Sequence, residues 1–100
     1  MKLKNGFTLR KIPGMNLVIP VGENAIHRKS ALMLNDTAAM IYEMLQNGLE
    51  CAAITEHMTA QFDVTAEKAA ADIDKVFAML IEGGVAEERY IGNAQRYIEK

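Results

Sequence analysis

Apolar and polar residues follow a two-residue period at the start of the chain and a helical period later, with the change at residues 35–37. Phe7, Leu9 and Lys11 alternate against Thr8, Arg10 and Ile12, Pro13-Gly14 supplies a turn, and Asn16 to Val21 is rich in β-branched residues. This predicts an antiparallel hairpin. Pro20 lies inside the second run, and because proline has no amide to donate, its nitrogen should face away from the partner strand or sit at a bulge. Gly22-Glu23-Asn24 closes that strand, residues 25–30 fit no single element, and His27-Arg28-Lys29-Ser30 reads as a charged loop or turn. The short apolar run Ala31-Leu32-Met33-Leu34 is expected to be a third strand.

Asn35, Asp36 and Thr37 each carry a side chain able to accept from the unpaired amides that open a helix. Ala38, Ile41, Tyr42 and Leu45 then fall on one helical face, and Asn47-Gly48 is the expected stop. Ile54, Met58 and Phe62 repeat that spacing over about 50–61, a second helix whose start lacks a strong cap. Thr65 caps a third helix that ends at Gly83-Gly84, with Glu67 adding negative charge to its first turn. At about 100° per residue Ala69, Ile73, Val76 and Leu80 form a tight stripe, and Ala70, Phe77 and Ile81 widen it beyond one contact's need. Asp74 borders that extra width, and four alanines at 66, 69, 70 and 71 keep the helix slim enough for another backbone to approach. Beyond Ala86, Tyr90, Ile91, Ala94, Tyr97 and Ile98 return to helical spacing around Gly92-Asn93, so residues 87–100 read as a docked last helix or a frayed tail.

With 100 residues and half of them hydrophobic, the chain suits one domain with one modest core, expected over residues 1–86. There is no Trp, and seven Met supply adaptable packing. No apolar run approaches the length of a signal peptide or a span, so a cytoplasmic location is expected. A single cysteine, Cys51, excludes an internal disulfide and reads as a small buried apolar residue. Residues 1–30 carry six cations against Glu23 alone, a net of +5, and the remaining seventy carry five cations against twelve carboxylates, a net of −7. The two regions either attract each other across the fold or leave a basic front for an acidic partner.

Chemistry is sparse. Ser30, Cys51, His27 and His57 show no setting that would make a nucleophile and its base, and both histidines read as solvated surface residues. His57 has no second His or Cys nearby for a metal, and the scattered glycines form no phosphate loop, so no cofactor is expected. Three strands and three helices could describe a DNA-binding winged helix. The third helix sets Lys68 and Lys75 against Glu67, Asp72, Asp74 and Glu82, however, a net of −2 on the surface that would meet phosphates. Nucleic-acid binding is therefore not expected.

The ordered set GFTLRKIPGMNLVIPVG, ALMLNDTAAMIYEML, AAITEHMTAQFDVT and DIDKVFAMLIEGGV resembles the PqqD-like family, whose domain is also called a RiPP recognition element. The match runs over roughly residues 5–86, and its most family-like signature is the Leu-Asn-Asp-Thr entry into the first helix. NGLECAAI departs from the pattern, because many members open the second helix with a charged residue and Thr or Ser. The resemblance implies an α+β, winged-helix-like fold, a small three-stranded antiparallel sheet followed by three helices. It also implies a non-catalytic adaptor that holds the leader of a ribosomally made precursor peptide and presents it to a modifying enzyme, often a radical-SAM enzyme. The grip would be β-augmentation, in which an extended peptide adds a strand to an open sheet edge. Carried over by position, the edge is Ala31, Leu32, Met33 and Leu34, and the facing wall is Ala70, Ile73, Asp74, Phe77 and Ile81 on the third helix. The competing readings are that these five pack in the core or against the tail, and that the chain is a structural or regulatory module forming a homo-oligomer through its sheet edge or tail.

Overall fold

The computed structural model of the chain describes residues 2–23, 25 and 31–87; the charged loop expected at 27–30 and the helical pattern of residues 88–100 lie outside the described residues. The alternation at the start forms two antiparallel strands, β1 (Phe7–Ile12) and β2 (Met15–Pro20), turning at Pro13-Gly14. A third strand, β3 (Leu32–Leu34), pairs antiparallel with β2 in the order β1-β2-β3. Three helices follow: α1 (Asp36–Gln46), α2 (Cys51–Gln61) and α3 (Ala66–Glu82). This is the expected α+β arrangement of a three-stranded antiparallel sheet and three helices.

Local chemistry sets the boundaries. Asn35 is the residue of the Asn-Asp-Thr run that caps α1, its side-chain oxygen accepting from the Ala38 amide at 2.8 Å. Thr65 Oγ1 accepts from Lys68 N at 3.1 Å and caps α3, whereas Glu50 gives α2 no side-chain cap. Two helices stop by one device. Gly48 and Gly84 take positive φ, which lets Leu49 N and Val85 N reach back to Met44 O and Leu80 O, both at 3.0 Å.

The inner face of the sheet, with Val18 and Leu34 buried, packs on Ile41, Tyr42, Ile54, Ile73, Phe77 and Leu80 from the three helices. On the outer face Ile12, Met15 and Met33 remain exposed. Residues 2–4 run beside the end of the third helix, Lys4 N donating to Val85 O at 3.0 Å and Glu87 N to Lys2 O at 2.9 Å. The charge asymmetry is partly consumed within the fold, since Lys11 Nζ of β1 bonds Glu43 of α1 at 2.9 Å and Lys2 lies 3.9 Å from Glu87.

Candidate peptide-binding groove

Hydrogen-bond alternation decides which groups of β3 face outward. Val21 N donates to Gly6 O at 2.8 Å, so in the β1–β2 ladder residues 15, 17 and 19 turn their amides and carbonyls toward β1. The backbone groups of residues 16 and 18 therefore point to β3. They meet Leu34 and Leu32, the partners that the register assigns them. Met33, opposite Leu17, is left with its N–H and C=O on the far edge, where no other strand pairs among the described residues. The same alternation turns the nitrogen of Pro20 away from β1, as its chemistry requires.

The edge is held from behind. Asn16, buried on β2, donates from Nδ2 to Leu34 O at 3.1 Å and to Asp36 Oδ1 at 3.0 Å, tying β2 to the end of β3 and the start of α1. Leu32, at the other end of the strand, packs so closely on Gly83 that a Cβ there would stand 3.0 Å from its methyl carbon. The C-terminal end of α3 thus lies against Leu32. Between the middle of α3 and the first turn of α1 is a cleft of about 300 Å³, walled by Asn35 and Thr37 on one side and by Asp72, Lys75, Val76 and Met79 on the other.

The nine residues expected to hold a peptide are divided by this geometry. Leu32, Met33 and Leu34 form the open edge, with Met33 63% exposed and Leu34 buried, while Ala31 lies just before the strand, which begins one residue later than expected. On α3 the five residues expected to form the wall are largely enclosed. Ile73 and Phe77 have no exposed surface, Asp74 is buried, and Ala70 and Ile81 are half-buried. At about 100° per residue these five centre nearly opposite Asp72, Lys75 and Met79, which line the cleft. Their extra apolar width is filled by the chain's own core. Thr37, Asp72, Lys75, Val76, Met79 and the positioning residue Asn16 escaped sequence reasoning. The signal that could have found the wall is a stripe at 68, 72, 75 and 79, three charged residues and a Met on one helical face.

Electrostatics in the groove are local. Lys68 Nζ bonds Asp72 Oδ1 at 2.9 Å, so the carboxylate at the cleft wall carries a cationic partner from its own helix. Among the described residues no three His, Cys, Asp or Glu side chains form a group that could hold a metal ion. Cys51 is buried, His57 is exposed, and His27 and Ser30 lie outside the described residues. No helix among the described residues is long and apolar enough to cross a membrane.

No curated protein sequence matches the chain. Among solved structures, TbiB1 in complex with the TbiA(beta) leader peptide is similar at a TM-score of 0.73 and 15% sequence identity, covering 87% of this chain and 95% of that one. At that identity the likeness establishes the fold. The family model of coenzyme PQQ synthesis protein D (PqqD) matches residues 25–86, from before β3 to the bridge that Ala86 makes with Leu3. With more than half of its length matched, this chain belongs to the PqqD family.

Proposed function

We propose that the chain is a non-catalytic adaptor that holds the leader of a ribosomally made precursor peptide along β3 and presents it to a modifying enzyme such as a radical-SAM enzyme. The observation that carries this reading is the outward pair of Met33 backbone groups, with a cleft between α1 and α3 that reaches Asn35, the residue after β3. An extended leader would exchange hydrogen bonds with Met33 N–H and C=O, and its alternate side chains would enter the cleft over Val76 and Met79. Membership of the PqqD family supports it, as does the similar fold of TbiB1, solved with a leader peptide.

The test is a titration of the ¹⁵N-labelled protein with synthetic leader segments of ribosomally made precursor peptides, the TbiA(beta) leader of the similar structure among them. Resonances of residues 31–35 and 72–79 should shift together and saturate; a saturating peptide that leaves them unmoved would refute this site. The exposed outer sheet face, with Ile12, Met15 and Met33, favours one further reading, self-association. Sedimentation that finds a monomer at all concentrations counts against it, and a dimer dissolved by the leader would place both partners on one edge.

A further inference from the structure

We propose that the groove does not end at the sheet. It continues past Leu34, around the first turn of α1, into a second subsite formed by Met58, Phe62 and Val64 that takes one large apolar side chain of the bound peptide. This rests on the leader-binding reading and adds a specificity element to it.

A second cleft, of about 160 Å³, is lined by Met58, Phe62 and Val64 together with Thr37 and Asp72. Thr37 and Asp72 also line the first cleft, so the two are compartments of one trough with these residues at the waist. An apolar cavity of about 150 Å³ accepts a benzene ring, so the second compartment is sized for one aromatic or long aliphatic side chain. Its floor and rim differ. Met58 is buried in the core, whereas Phe62, just beyond the end of α2, is 45% exposed, so roughly half of a phenyl ring stands ready to cover a guest. At the waist the Asp72 carboxylate is paired with Lys68, so an apolar chain crossing it meets an exposed ion pair and not a lone carboxylate.

The subsite lies beyond Leu34, which fixes where its occupant sits in the peptide. Antiparallel pairing is the more stable per residue, and a leader antiparallel to β3 reaches the Leu34 end with its earlier residues. The anchor therefore precedes the strand-forming residues.

Two ligands and one variant test this. The full leader should bind about tenfold more tightly than a leader cut to its strand-forming stretch, about 1.4 kcal/mol. Phe62→Ser should bind the full leader only as well as the short one. Serine scanning of the leader residues that precede the strand, read with the unaltered protein, should reproduce the tenfold loss at one apolar position, whatever Phe62→Ser does to folding. Equal affinity of both leaders, or a scan with no such position, overturns the second subsite while leaving the edge strand intact. If neither leader perturbs residues 31–35, the adaptor reading itself fails.

Discussion

Replacing Met33 with proline separates edge pairing from every other property of this fold. The Met33 amide faces away from β2, so its loss takes nothing from the β2–β3 ladder, and the side chain is 63% exposed, so little packing goes with it. The preceding residue, Leu32, is already extended, the conformation that proline favours before itself. Folding stability should therefore move by no more than about 0.5 kcal/mol. Binding is another matter. One backbone hydrogen bond contributes about 0.5–1.5 kcal/mol net, and a leader carbonyl left unpaired inside the groove costs about 1–3 kcal/mol. The ring also occupies the space of the added strand. Affinity should fall by at least about 1.4 kcal/mol, or about tenfold. Met33→Ala is the control, since it removes the side chain and keeps the amide. Calorimetric titration of both variants with the leader, alongside urea unfolding, checks the case. If Met33→Pro folds normally and binds as tightly as Met33→Ala, the peptide does not pair with β3.

Other substitutions probe the support of the edge and the core. Asn16→Ala removes the two bonds that tie β2 to Leu34 and Asp36, and should cost about 1–3 kcal/mol in urea unfolding; a loss below about 0.5 kcal/mol would show that the buried amide does not hold the strand. Phe77→Ala should cost about 3–5 kcal/mol, and a near-neutral melt would favour the groove wall over the core, the two places that the sequence left open for Phe77. Burial raises the Tyr42 hydroxyl above its ordinary pKa of 10.0, partly offset by its hydrogen bond with Gln46. The unfolded chain therefore ionises first, and Tyr42's contribution is complete below about pH 10 and is lost as pH rises from there through the folded pKa. Tyr42→Phe should lack this loss, so the stability gap between wild type and variant should narrow as pH rises above about 10; a constant gap contradicts the assignment.

Most of the fold was legible because its boundaries are chemical. Pro13-Gly14, Asn35, Thr65 and the glycines at 48 and 84 do in the structure what their side chains, or lack of them, suggest. The edge strand was legible as a short apolar run, and membership of the PqqD family agrees with the order of motifs. The facing wall was not. Periodicity reports which side of a helix is buried, and the chain's own core uses that side: the widened arc of Ile73 and Phe77 is core, while the cleft proposed as the groove lies on a mostly polar flank. In sequence, Lys68, Asp72 and Lys75 look like any solvated face. Phe62 misled for a different reason. It follows Ile54 and Met58 at the right interval, but α2 ends at Gln61, so Phe62 leaves the helical register and turns partly outward. Likewise the sequence left two fates open for the basic front, and where β1 meets α1 one of its cations, Lys11, pairs within the fold with Glu43.

The central claim, that a peptide completes the sheet at β3, is tested most directly by hydrogen exchange at one amide. In the free protein the Met33 N–H faces outward and should exchange rapidly, while the amides of Leu32 and Leu34 are protected by β2. With the leader bound at saturation, Met33 exchange should slow by at least about tenfold, the signature of about 1.4 kcal/mol of new protection. Saturating leader that leaves Met33 exchanging at its free rate would contradict the account.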